Sequence, residues 1–373
     1  MRRHRAADAF SNNVQQVSCD DGDAMKKFIP IGVLGLVSIL IPAFVDNQYI
    51  LHSIVMILLY AYLSTSWNIV GGFAGQLSLG HSSFMAIGGY TSTLLAIHSG
   101  LSPWIGMLVG GCAAAFVAVL VGIPSFRLKG AYYSLATIAF AEGLSMLLQT
   151  VKRIGPIDLG GAEGLRVASI PDASILDFQS LSKVPYYYII LVFLAIVVFV
   201  SWYIDRSKLG YYLTALKEDE EAAKALGINT QQVKLIAAGL SAFFTALGGT
   251  FFVQLIRYVE PATIAGIDLS TQMVFLAVVG GVGTVFGPLV GSIVLTTLAT
   301  ITQIYFGGSS SGLHLIIYGT AVVAVILFMP PGHGIIHPIL KMLGLAEKDG
   351  ANKSDGRLSE AAAPSSRKDL VRE

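Results

Sequence analysis

Charged residues are scarce in this chain: Asp, Glu, Lys and Arg make up 13% of its 373 residues, about half the roughly 25% of an ordinary soluble domain. Cysteine is rarer still. Cys19 lies in a polar stretch and Cys112 in an apolar run, which excludes a disulfide framework and a Cys-based metal site. The formal net charge of +1 gives no electrostatic case for nucleic acid as a partner. The seven histidines are scattered. Only His333 and His337 stand four apart, and Pro330, Pro331, Gly332, Gly334 and Pro338 interrupt any helix that would present both on one face, so no metal is expected. No Gly-x-x-x-x-Gly-Lys-Ser/Thr run occurs. No cofactor is therefore expected on this chain, and if ATP drives it, another chain must bind the nucleotide.

What the chain does have is apolar sequence, 54% of its residues. At about 20 residues per membrane crossing, it has room for up to ten helices and two polar ends. Of its 47 charged residues, 32 fall in 1–27, 205–234 and 341–373. Between these patches the hydropathy pattern predicts an all-α, polytopic membrane protein with crossings near 28–45, 49–70, 82–98, 103–124, 131–150, 185–204, 235–257, 267–283, 286–306 and 312–329. With the N-terminus in the cytoplasm, the inside segments hold 19 of the 24 Lys and Arg, as the positive-inside rule requires. Both termini are then cytoplasmic. Met25-Lys26-Lys27 before Phe28-Ile29-Pro30-Ile31 reads as the start of the membrane part. The apolar run continues through Phe44 and Val45 without a small-residue cleavage site, so 28–45 is expected to be an uncleaved first helix after a cytoplasmic segment, 1–27. The Ala, Ser, Lys and Asp mixture of 341–373 predicts a disordered cytoplasmic tail, leaving 28–340 as the membrane domain.

Two glycine clusters break the apolar pattern. The first runs from Asn68 to Phe84 and contains Gly71, Gly72, Gly75, Gly80, Gln76, Ser78, His81 and Ser82. Non-helical backbone at membrane depth survives only inside protein or along a wet cavity. Ser82 or Ser83 in the capping position would leave a helix N-terminus able to receive a carboxylate, a known transporter device. The alternative is a tight cytoplasmic turn whose glycines serve packing. The second cluster, Gly280-Gly281-Val282-Gly283-Thr284-Val285-Phe286-Gly287-Pro288, is expected to pair with the first along a pore. Glu142 lies well inside an apolar helix, where a charge must face protein or water, so it joins Gln76, Ser78, His81 and Ser82 as a candidate of the substrate pathway. The stretch 215–229 reads as a short polar helix ending at Gly227, either a solvated linker or a small surface for a partner groove.

These features in this order resemble the permease subunits of bacterial branched-chain amino acid ABC importers of the LivM type. The resemblance rests on residues 68–90, 130–142, Gly160-Gly161-Ala162-Glu163-Gly164-Leu165, 215–229 and 279–291, and spans roughly 28–340. It implies that Glu221, Ala222, Ala223 and Gly227 form the coupling segment that docks on an ATPase, and that Gly160, Gly161 and Gly164 lie in an outer loop, 151–183, facing a periplasmic substrate-binding protein. It further implies a second permease of the LivH type, and two ATPase subunits that hold ATP and Mg²⁺. The prolines that often follow the coupling motif are absent, and Leu159 stands where a threonine is expected. The resemblance reaches permeases for urea and short amides, so these are the alternative substrates. A stand-alone ion-driven transporter would need more intramembrane polar groups than Glu142 supplies. A membrane enzyme would need convergent His, Asp, Glu or Ser groups that no loop provides.

Overall fold

The computed structural model describes residues 38–45, 47–167, 178, 182–306 and 313–328. Residues 38–44 are helical. The numbered helices are α1 Gln48–Asn68, α2 His81–Ser99, α3 Pro103–Ser125, α4 Ala131–Thr150, α5 Val184–Asp205, α6 Lys208–Glu218, α7 Glu220–Ala225, α8 Thr230–Ile256, α9 Pro261–Ile264, α10 Ile267–Gly281, α11 Gly287–Phe306 and α12 Leu313–Phe328. The chain is all-α apart from two short antiparallel pairs: Arg153–Ile154 (β1) with Ile157–Asp158 (β2), and Leu165–Arg166 (β3) with Tyr258–Val259 (β4).

Nine of the ten predicted crossings coincide with helices to within a few residues, while the first, 28–45, is described only from residue 38. Seven of the described helical stretches are long and apolar enough to span a membrane. The prediction of ten is thus not reproduced by length and apolarity alone. α2 starts with His81, Ser82 and Ser83, and α12 has only 16 residues. The expected N-terminal segment 1–27 and the tail 341–373 lie outside the described residues.

Local chemistry sets the ends. Pro103 opens α3, where a missing N–H costs nothing. Asn47 accepts from the Tyr49 N–H at 2.9 Å, capping α1. The centre of the bundle is α1 and α8, its most buried spans. α2 packs on α8 at backbone distance: a Cβ at Gly88 would sit 2.1 Å from the Ala246 carbonyl oxygen, and one at Gly249 2.0 Å from that of Met85. Only glycine permits this approach, which replaces side-chain interdigitation with direct backbone packing. The Thr250 hydroxyl donates to the Gly88 carbonyl across the same seam, 3.1 Å. An aromatic cluster of Trp104, Phe178, Tyr186, Phe193 and Phe251 fills the other end of the core.

Candidate functional site: the glycine junction and the coupling segment

The two glycine clusters, some 215 residues apart in sequence, meet through one side chain. α1 ends in a π-helical turn, Ile69–Phe73, and Asn68 at its start donates from Nδ2 to the Thr284 carbonyl at 2.9 Å while its Oδ1 accepts from the Gly283 N–H at 2.9 Å. A Cβ at Gly72 would lie 2.6 Å from the Gly283 nitrogen, so the junction closes only around glycine. Gly71 has the same restriction against the Trp67 ring, at 2.2 Å. On the far side a Cβ at Gly280 would fall 1.8 Å from the Gly287 carbonyl oxygen, and Gly287 has as little room against Gly281. The two clusters therefore meet in the fold. In the sequence Asn68 is only the first residue of a glycine-rich stretch, and its clamping role is a tertiary fact.

Beyond the π-turn, the chain returns to α2 through residues 74–80, held by donors and acceptors from α1 and α4. The Trp67 indole donates to the Ser78 carbonyl (2.7 Å), the Ser134 hydroxyl to the Leu77 carbonyl (2.7 Å), and the Leu79 N–H to Thr137 Oγ1 (3.0 Å). His81 is buried between two hydroxyls, with Nδ1 3.0 Å from Ser78 Oγ and Nε2 2.8 Å from Ser241 Oγ. Ser241 gives its proton to the Ser66 carbonyl at 2.7 Å, so it must accept from His81. The bookkeeping assigns the proton of His81 to Nε2 and makes Ser78 the donor to Nδ1.

The expected anion-receiving helix start is corrected here. Gly80, not Ser82 or Ser83, precedes the first helical residue, and it offers no side chain. The Ser82 N–H is already taken by Ser270 Oγ at 2.8 Å, and the Ser82 hydroxyl donates to the Ala265 carbonyl at 3.1 Å. The cavity beside Ser78, His81, Tyr133 and Thr137 measures about 20 Å³, room for one water rather than the several hundred Å³ of a small-molecule pocket. Ser78, His81 and Ser82 thus form a closed polar joint in this conformation. Gln76 is half-buried and bonds only locally, to the Ala74 carbonyl at 3.3 Å. Glu142 is not part of this joint, being exposed on α4. The five pathway candidates therefore do not form one constellation.

The segment expected to couple to an ATPase is two helices with a shared corner. Asp219 caps α7 by accepting from the N–H groups of Glu221 (2.9 Å) and Ala222 (3.1 Å). Gly227, with φ +85°, ends it in the left-handed conformation that favours glycine. Ala223 turns inward, while Glu221, Ala222 and Leu226 face out, Leu226 with 81% exposure. Glu220, which the sequence reading passed over, fixes the segment to α8: its Oε2 lies 2.7 Å from the Lys234 ammonium, whose side chain is 2% exposed. Burial pushes the Glu220 carboxyl up, but its hydrogen bonds and charge pairing with Lys234 and Lys224 outweigh this and hold it below the usual carboxylate range. Glu221 pairs with Lys129 of the α3–α4 turn at 2.9 Å, and that bond and charge lower its carboxyl too. Lys217 of α6 lies over the glycine junction: a Cβ at Gly75 would come 3.0 Å from its Cγ, and one at Gly283 2.8 Å from its Nζ.

In the described part of the 151–183 loop, Gly160 and Gly161 are buried and Gly164 half-buried. Gly160 and Gly164 have φ of +76° and +69°, and a Cβ at Gly164 would lie 2.2 Å from the Val259 carbonyl oxygen. These glycines shape the loop. Its exposed surface is formed by Arg153, Ile154, Ile157, Glu163 and Arg166. The rest of the expected 151–183 loop, apart from residues 178, 182 and 183, lies outside the described residues.

An all-α bundle with seven span-length apolar helical stretches among the described residues defines a multi-pass membrane protein. Residues 49–328 match the family model described as the permease component of branched-chain amino acid transport systems, and the chain belongs to that family. It is 27% identical over 357 residues to the high-affinity branched-chain amino acid transport system permease protein LivM of Escherichia coli K12, covering 90% of this chain and 80% of that one. It is 24% identical to LivH of the same organism over 301 residues, covering 73% and 90%. To BraD of Pseudomonas aeruginosa it is 26% identical over 294 residues, with the same coverage.

Proposed function

We propose that this chain is one half of the permease of an ATP-driven importer that carries leucine, isoleucine and valine inward across the bacterial inner membrane, with both termini in the cytoplasm. Its relatives include both LivM and LivH, which supports pairing with a second permease of the LivH type. Two ATPase subunits bind ATP and Mg²⁺ outside this chain. A periplasmic binding protein meets the 151–183 loop and supplies most of the selectivity.

The observation that carries the reading is the position of α6. Lys217 rests on Gly75 and Gly283, where Asn68 joins the two glycine clusters, and three residues later the chain enters α7 with Glu221, Ala222 and Leu226 facing out. An ATPase that grips α7 moves α6 against this junction. The closed polar joint around His81 then opens or shuts as α1, α2 and α8 shift, which is alternating access by rigid-body motion of packed helices. Replacement of Glu221 by Arg reverses the charge facing Lys129 and the partner groove. Leucine uptake is expected to be lost while the chain still inserts and is recovered at normal levels. Normal uptake by this variant would overturn the docking role.

A further inference from the structure

α3 and α8 pack against each other but part at one place on the outside of the bundle. There Ala115, Phe116 and Val119 of α3 and Leu235, Ile236 and Gly239 of α8 line an open groove of about 360 Å³. Toward the start of α3 the two helices close again, with the Phe243 ring over Gly111, where a Cβ would lie 2.8 Å from Cε2. Toward its end the Gln231 amide donates to the Ile123 carbonyl at 3.5 Å. Gly88, Gly249 and Gly280 are each forced by a close backbone neighbour. Gly239 is not: a Cβ there would meet only Val119 Cγ2 at 3.7 Å and the Ala115 carbonyl oxygen at 3.9 Å, ordinary contact distances. This glycine keeps the floor of the groove bare.

Depth and chemistry select the occupant. At about 1.5 Å per residue, Leu235 and Gly239 lie roughly 8 and 14 Å from the start of α8, and Phe116 roughly 14 Å from the end of α3. All three fall within one half of a hydrocarbon layer about 30 Å thick. The six lining residues offer no side-chain hydrogen-bonding group, so a polar solute has nothing to hold. A slot one glycine wide admits a hydrocarbon chain rather than a helix about 10 Å across. Phe116, Leu120 and Ile123 form an exposed row on α3 that continues, just past the helix end, to Arg127. The Arg127 guanidinium is exposed and has no hydrogen-bond or ion-pair partner among the described residues. Its neighbours Lys129 and Lys234 are each held by a carboxylate, Glu221 and Glu220.

We propose that the α3–α8 groove holds an acyl chain of an anionic phospholipid, in the leaflet on the side of the α3–α4 turn, with its phosphate on Arg127. A guanidinium matches a phosphate with two parallel hydrogen bonds, which a zwitterionic headgroup offsets with its own cation. The lipid then braces the end of α3 two residues from Lys129, the partner of Glu221.

The test uses the full chain, purified with the subunits that accompany it and placed in phosphatidylcholine nanodiscs. A trace of phosphatidylglycerol or of phosphatidylcholine carrying a diazirine on one acyl chain is added, and the labelled peptides are located by mass spectrometry after illumination. At about 1 kcal/mol per basic residue near a membrane surface, the phosphatidylglycerol probe is expected to label residues 115–120 and 235–239 about fivefold more than the phosphatidylcholine probe. The exposed face of α5, residues 192–203, is expected to take both probes equally. Arg127→Gln should bring phosphatidylglycerol down to the phosphatidylcholine level in the groove, and Gly239→Leu, which fills the floor, should reduce groove labelling by both. In the unaltered chain, groove labelling no stronger than that of α5 means a groove that is bare or covered by protein, and overturns the proposal. Equal labelling by the two probes, or a phosphatidylglycerol preference that survives Arg127→Gln, overturns it as well.

Discussion

Replacing Glu220 by Ala leaves the Lys234 ammonium buried without its carboxylate. The pair spans 2.7 Å, the Lys234 side chain is 2% exposed, and the Phe126 ring lies with its centroid 5.9 Å from Nζ. Breaking a fully buried pair costs about 3–5 kcal/mol. The Glu220 side chain keeps 24% of its exposure, so water can enter the vacated space, and about 2–3 kcal/mol is the expected loss in the local stability of α7 and its junction with α8. At about 1.4 kcal/mol per factor of ten, amide hydrogen exchange over residues 220–228 should accelerate by about 30–150-fold. Glu221→Ala should change exchange in the same segment little, because Glu221 and Lys129 are both mostly exposed. The double variant Glu220→Ala, Lys234→Met removes the stranded charge and should recover part of the loss. Exchange mass spectrometry on the purified importer reads all three variants. Unchanged exchange in Glu220→Ala, or a larger effect from Glu221→Ala, would refute the idea that the buried pair anchors the coupling segment.

The same pair predicts a pH response. A carboxyl held below its unfolded value contributes stability in full above that value and loses it as pH falls through the folded value, so exchange of residues 220–228 should be insensitive to pH above the normal glutamate range, after correction for intrinsic rates, and rise only in stronger acid. Asn68→Ala strands the Gly283 N–H and the Thr284 carbonyl and should lower stability by about 1–3 kcal/mol, measured as a drop in Tm of the detergent-solubilised protein. Gly280→Ala pushes a methyl to 1.8 Å from the Gly287 carbonyl oxygen and should abolish uptake, whereas Gly143→Ala adds one into open space and should leave the Tm of the solubilised chain unchanged.

The span-length helices were legible because each is an apolar run ended by local chemistry, with Pro103 opening α3 and Gly100 following α2; the short polar α7 was legible from Gly227 just beyond it. The glycine clusters were legible as breaks for the same reason. Their contact was not, because Asn68 and Gly283 are far apart in sequence and no local pattern says which backbone amide an asparagine will clamp. The helix cap shows the same limit. A serine near a helix start suggests a cap, but Gly80 holds that position and the Ser82 N–H donates to Ser270 Oγ of α10, a partner far away in sequence. Glu220 was hidden by its neighbours, since the run 218–221 is entirely acidic and only the position of Lys234, fourteen residues on, singles out the residue that anchors. Glu142 stands out in the sequence as an acid inside an apolar run. Sequence periodicity could not say that its side faces away from the bundle.

The central claim, an importer permease for branched-chain amino acids, is tested most directly by uptake of labelled leucine in cells that carry or lack this gene, with unlabelled valine, isoleucine and urea as competitors. Loss of leucine uptake on deletion, with competition by valine and isoleucine but not urea, is the predicted result. Unchanged leucine uptake together with lost urea uptake would contradict it and move the substrate to the urea and amide class.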